Sequence, residues 1–269
     1  MPTTSPIEAV ARNQRAVVIS GLILVSLLAW GFVLAGGGTG MSIRAMSTWR
    51  FPPPMDRPAM AGMWTPAYAV TMLVMWWVMM VAMMLPSAAP LILLYEQIAR
   101  KSGGSGARAA WLAAGYCLGW LGFSMAATAL QYGLEQLGWI HGMLMWSLNP
   151  WLSAALLAAA AVYQITPLKH ACLKHCRTPF GFIMGHWRPG ASGAFRMGLV
   201  HGTYCVGCCW FLMALLFVGG IMNIVWIAGL ALMVLVEKVA PNGRLVSNLL
   251  GVLFLGGAIH ITASAALQT

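Results

Sequence analysis

Residues 71–86 read TMLVMWWVMMVAMMLP, a run with no charged side chain and no turn former before its last residue. With its flanks the run extends over about residues 67–95, more than the roughly 20 apolar residues that carry an α-helix across a bilayer core about 30 Å thick. A soluble domain has no use for so long an uncharged helix. This stretch is therefore predicted to span a membrane, with Pro86 and Pro90 kinking its end where neighbouring helices satisfy the freed carbonyls.

The same reading extends outward along the chain. Apolar runs near residues 17–35, 109–134, 150–165, 195–218, 221–236 and 245–265 bring the count to about seven spans. Only 7% of the 269 residues are charged and 60% are hydrophobic, whereas soluble domains are roughly a quarter charged. The predicted fold is all-α: a polytopic transmembrane helix bundle forming a single integral membrane domain over residues 1–269. Residues 1–16 form a cytoplasmic N-terminal segment, 17–265 the bundle, and 167–196 a basic cytoplasmic loop rich in Cys and His. The first run reads as a signal peptide or an anchor, and its length and the lack of an A-x-A pattern favour the anchor. FPPPMDRP, residues 51–58, predicts an irregular external loop. WIHGMLMWSLNP, residues 139–150, is too short to cross and predicts an interfacial segment.

The formal charge of +10 raises the question of nucleic acid, and the positions of the charges answer it. With the N-terminus in the cytoplasm, twelve Lys and Arg fall on the inner side and three, Arg44, Arg50 and Arg57, on the outer. That asymmetry is the positive-inside rule at work. The implied partners are the lipid bilayer and a small ligand, with no nucleic acid. The implied location is an inner (cytoplasmic) membrane, crossed many times. Six cysteines in so large a chain do not make a disulfide scaffold, and reduced thiols are expected.

HGTYCVGCC, residues 201–209, carries the densest chemistry. At 100° per residue, His201, Cys205, Cys208 and Cys209 share an arc of roughly 100° on one helix face, inside the membrane. Thiolate and imidazole are soft or borderline ligands suited to copper(I), with zinc as the other choice. Close packing of small residues is the competing explanation. KHACLKHC, residues 169–176, adds His170, Cys172, His175 and Cys176 just after the fourth span. If that turn is helical, Cys172 and Cys176 sit one turn apart. A basic loop touching lipid headgroups accounts for it equally well. Met72, Met75, Met79 and Met83 form a stripe about 80° wide on the second span, a thioether path for copper(I) or ordinary packing. Gln131, Glu135, His141, Met143 and Met145 could gather at an external intake, although an interfacial cluster without a ligand is the favoured reading. Tyr116 and Cys117 could approach the Cys205 cluster. Glu237 and Lys238, at the inner end of the sixth span, read as solvated anchors.

Some functions are excluded or disfavoured. The last span has no lysine for a retinal Schiff base, there is no phosphate-binding glycine loop, and mid-span carboxylates are lacking. Soft-metal transport, or delivery to a periplasmic or membrane metalloprotein, is the leading expectation, so the chain is read as a carrier more than an enzyme. The alternatives are a thiol-disulfide oxidoreductase using the Cys205 and Cys208 pair and a non-catalytic membrane subunit. A haem between His201 and His260 is a minor option.

MWWVMMVAMMLPSAAPLI (residues 75–92), HGTYCVGCCW (201–210) and VEKVAP (236–241) together resemble an uncharacterised family of predicted metal-binding bacterial integral membrane proteins. The resemblance covers about residues 72–241. It implies a membrane location and a metal, and brings no ligand set with it.

Overall fold

The computed structural model describes residues 14–56, 58, 64–101 and 107–267. The N-terminal segment with Arg12, Arg57 of the expected outer set and residues 102–106 of the expected basic loop lie outside that range. Ten helices account for most of it: α1 Gln14–Leu34, α2 Pro66–Lys101, α3 Ala107–Gln136, α4 Pro150–Gln164, α5 Pro167–Arg177, α6 Pro179–His186, α7 Gly190–Ala214, α8 Leu216–Gly219, α9 Ile224–Val239 and α10 Gly243–Ala266. Among the described residues no strand forms beyond one isolated bridge between Ile140 and Ser147.

Five helical stretches are long and apolar enough to cross a membrane: α1, α2, α3, α7 with α8, and α10. α4 and α5 together make a sixth candidate, bent by 66° at the break between them. α9 has 16 residues, about 24 Å at 1.5 Å per residue, which is shorter than a typical core. The outward faces are apolar. Leu24, Leu27 and Leu28 of α1 and Leu249, Val252 and Ile259 of α10 are all exposed, a surface that lipid would cover and water would not favour.

Local chemistry explains where the chain turns. Asn149 caps α4 by accepting from the Trp151 and Leu152 amides, with Pro150 in the first turn where no amide is needed. Pro167 cannot donate to a continuing α4, so the helix stops; Thr166, in extended backbone, then accepts from the Lys169 amide and starts α5 in a new direction. Pro179 opens α6 in its first turn, with no side-chain cap from Thr178, whose hydroxyl donates back to the Lys174 carbonyl. The segment expected as a basic loop over 167–196 is therefore two short helices and the first turns of α7. These fold back onto the bundle instead of hanging from it. α2 runs unbroken through Pro86 and Pro90 for 36 residues.

α7 is the axis of the structure, packing against α3, α4, α5 and α9. Its approach to α3 depends on paired glycines, Gly115 and Gly119 on one helix and Gly198 and Gly202 on the other. A methyl group at Gly198 would run into the Leu112 carbonyl, and one at Gly115 into the Phe195 carbonyl. Small residues at a four-residue spacing let two backbones touch where no hydrophobic drive separates helix from lipid. The segment at 139–148 is not a surface strip. Ile140, His141, Met145, Trp146 and Ser147 are buried, and Ser147 and Ile221 bond backbone to backbone with Phe217 and Met145.

Candidate metal centre

The two cysteine clusters that the sequence keeps apart meet in space. The sulfurs of Cys176, from α5, and of Cys205 and Cys208, from α7, all lie within 4.8 Å of one another, with Cys176 and Cys208 separated by 3.8 Å. Three thiolates at about 2.3 Å from one ion stand roughly 4 Å apart, so the spacing suits a shared metal. All six cysteines are free. Cys205 and Cys208 are buried and Cys176 is half-buried.

α5 reaches this position through charge. Lys169 and Glu237 form a buried ion pair at 2.6 Å, and the Ser247 hydroxyl donates to the same carboxylate oxygen at 2.7 Å. Arg177, at the other end of α5, donates to the carbonyls of Glu237 and Pro241 at 2.9 Å. Near the centre, Tyr163 of α4 donates to the Gly207 carbonyl, and the absence of a side chain at Gly207 makes room for the Cys172 sulfur.

Two polar groups from other helices meet the Cys205 sulfur. Its sulfur is 3.0 Å from the Lys238 ammonium and 3.1 Å from the Tyr116 hydroxyl. Lys238 also donates to the Ser87 hydroxyl at 2.8 Å, and Ser87 and Tyr116 both donate to the Met84 carbonyl. Glu237 and Lys238 are thus not the solvated anchors that the sequence suggests. One holds α5 and the other places a cation against a sulfur. The Cys208 and Cys209 thiols donate to the Cys205 carbonyl at 3.1 and 2.9 Å.

The remaining expected residues fall around this centre. Cys209 points to the Met84 thioether, 4.0 Å away, and His201 lies a turn before Cys205, outside the three-sulfur group. The His201 ring is buried between Tyr116 and Phe182, and its Nδ1 has no hydrogen-bond partner. Cys172 lies beside Gly207, His175 stacks on Tyr204, and His170 lines a separate cleft with Lys174, Arg177 and Arg244. Met72, Met75, Met79 and Met83 are all buried, as are Met80 and Met84. At the far end of that stripe Gln131 contacts the Met72 sulfur at 3.7 Å and donates to Glu135 at 2.8 Å, whose other oxygen accepts from Trp64.

Two expectations are corrected. Tyr116 approaches Cys205 but Cys117 faces away, lining a groove with Val25, Leu28 and Trp77. His141 Nδ1 accepts the Met143 and Leu144 amides within its own turn. His260 is on the exposed face of α10 while His201 is buried, so the pair cannot clamp a haem.

The sequence signals for Cys176, Lys238 and Met84 existed but could not be joined. Nothing local says that α5 docks on α7 or that the end of α9 lies beneath it.

The donors suit copper better than zinc. Three sulfurs with no carboxylate among them form a soft set, and a closed zinc site wants a fourth ligand. No curated protein matches this chain, and no solved structure does. A family model described as PpoB2, copper chaperone, matches residues 73–261. That range is well over half of the chain and contains every donor of the three-sulfur centre, and the chain accordingly belongs to the PpoB2 copper chaperone family.

Proposed function

We propose that this protein is an integral membrane copper carrier that holds Cu(I) on Cys176, Cys205 and Cys208 and passes it to a metalloprotein of the cell envelope. The observation that carries the reading is the convergence of three thiols from two helices to within 4.8 Å, in a chain of the copper chaperone family. Copper is the cargo. Cys205 and Cys208 ride on α7, which is seated against α3, while Cys176 arrives on a separately docked helix.

Seven spans are proposed, with the short α4 and α9 crossing where the bilayer thins around them and the N-terminus in the cytoplasm. The inner excess of Lys and Arg supports that orientation and puts the sulfur centre towards the cytoplasm. Met72, Met75, Met79 and Met83 form a thioether path between the centre and the outer side. Met84, facing Cys209, would be its last step. Thioethers carry no proton and hold Cu(I) weakly, which suits passage. His201, Cys172, Cys209, His170 and His175 are assigned supporting positions around the three sulfurs.

The test is Cu(I) content of detergent-purified protein without a polyhistidine tag, handled anaerobically. The wild type is expected to hold about one tightly bound Cu(I) per chain with sulfur as its neighbours in X-ray absorption. The Cys176→Ala, Cys205→Ala, Cys208→Ala triple variant should lose it. Unchanged sulfur-bound copper in that variant would refute the assignment, and reversible disulfide formation between Cys205 and Cys208 in cells would favour thiol redox chemistry instead.

A further inference from the structure

Two histidines, one on α5 and one on α6, meet edge to face beside Tyr204, the residue before Cys205. The rings of His175 and His186 have centroids 6.4 Å apart and stand at 86°. Two imidazoles bound in line to one ion at about 2.0 Å per bond, each ring centre roughly 1.1 Å behind its nitrogen, place the centroids about 6.2 Å apart. The observed separation is close to that.

Each ring is held in position by aromatic contacts. His175 stacks on Tyr204 at 4.2 Å, and His186 stacks on Phe182 at 4.5 Å. His186 Nδ1 is 3.0 Å from the Phe182 carbonyl. A metal-binding histidine characteristically gives its second N–H to such an acceptor, which fixes the tautomer and leaves Nε2 as the ligand. Both histidines are half-buried, so solvent or a partner can reach them. Their location is also pointed: His175 precedes Cys176 in the chain, and its stacking partner Tyr204 precedes Cys205.

We propose that His175 and His186 form a second, weaker Cu(I) site, a two-imidazole position at the mouth of the three-sulfur centre through which copper is loaded or released. As a handover position it rests on the sulfur reading above; as a binding site it stands alone. The exchange replaces metal–sulfur bonds by metal–nitrogen bonds with copper remaining Cu(I), and the imidazoles bind through lone pairs while His186 keeps its N–H on Phe182. Neutral nitrogen donors hold Cu(I) less tightly than thiolates, so the position favours transit over storage.

The experiment is an anaerobic Cu(I) titration of the full chain in detergent, followed by copper X-ray absorption. It compares wild type, the Cys176→Ala, Cys205→Ala, Cys208→Ala triple variant and a His175→Ala, His186→Ala double variant. The triple variant should keep one weak equivalent showing imidazole scattering. The double variant should keep the sulfur-bound copper, lose the second equivalent, and release copper to a chelator at least tenfold more slowly. A triple variant without imidazole-bound copper would overturn the proposal, as would a double variant equal to wild type in both stoichiometry and release rate. Imidazole scattering in a wild type that lacks sulfur scattering would uphold this site and refute the sulfur one. Should the double variant fail to fold, His186→Phe alone, which keeps the stack on Phe182, must still abolish the second equivalent.

Discussion

Replacing Lys169 with methionine removes no cysteine, yet it should weaken the copper centre. The Lys169 and Glu237 side chains are 0% and 2% exposed, so the ion pair is sealed from water. Deleting one partner leaves Glu237 charged and buried with the Ser247 hydroxyl as its remaining side-chain donor, a loss of about 3–5 kcal/mol for pairs of this kind. The pair joins α5 to α9, and α5 carries Cys176, so the loss falls on α5 docking. Arg177 still tethers the end of α5 beside Cys176 to the Glu237 and Pro241 carbonyls, so the helix should loosen from its Lys169 end and not be lost.

Each 1.4 kcal/mol is a factor of ten, and about 3 kcal/mol therefore corresponds to roughly a hundredfold rise in the undocked fraction. The assay is the rate at which a maleimide modifies Cys176 in a background with the other five cysteines replaced by alanine or serine. Lys169→Met should raise that rate by about two orders of magnitude, and in the native background it should weaken Cu(I) binding at least tenfold. The Lys169→Met, Glu237→Met double variant puts apolar side chains where both charges stood, and should recover most of the protection, because apolar replacement of a whole buried pair is often neutral or better. A single variant labelled at the wild-type rate, or a double variant as open as the single, would refute the argument that this pair docks α5.

Other consequences are equally direct. Cys176→Ser should cut Cu(I) affinity by at least about tenfold, whereas Cys172→Ser should leave copper stoichiometry unchanged in the same chelator competition. Lys238→Met removes a charged donor 3.0 Å from Cys205, an interaction worth about 1.5–3 kcal/mol. Cu(I) affinity should fall about tenfold to a hundredfold, with Lys238→Arg retaining part of it. Gly198→Leu forces a side chain against the Leu112 carbonyl and should yield no folded protein by detergent size-exclusion chromatography, while Gly256→Leu, where a Cβ meets nothing within 4 Å, should behave as wild type. Met84→Leu conserves volume and should change stability by less than about 1.5 kcal/mol while slowing copper uptake into proteoliposomes severalfold.

The helices were legible because burial in a membrane writes itself into long uncharged runs, and the α7 arc because helical periodicity is local. The ends of the short helices were also written in the sequence, as Thr166–Pro167 and Thr178–Pro179, each a helix start. The glycine pairs at 115 and 119 and at 198 and 202 had the spacing of a close helix contact, but spacing alone does not say which helix answers which. Cys176, Lys238 and Glu237 are different in kind. Their positions follow from a 66° bend and from a salt bridge between residues 68 positions apart, and such long-range pairings have no signature in any one segment. Basic residues near a span end look alike whether they face water or a folded-back helix.

The division of the three sulfurs between two helices bears on what the centre can do. Cys205 and Cys208 share one helix whose backbone is pressed against α3, so their separation is fixed and changes little with the state of the rest of the chain. Cys176 depends on α5, which packs against α7 and is tied to α9 by the buried Lys169–Glu237 ion pair and by Arg177 at its end. With α5 docked, an ion meets three thiolates and is held tightly. With α5 swung out, two ligands remain and one coordination position is open, the geometry in which an incoming ligand can take the ion by exchange. A structural site gains nothing from such an arrangement, because placing all ligands on one rigid element would hold metal better. A carrier must both hold and release, and a ligand on a detachable helix supplies that difference in affinity without breaking the bundle. Since α5 is tied to α9 and carries His175 next to Cys176, an ion bound at the proposed histidine position would press on the docking of Cys176, and loading and release would become properties of the same contact.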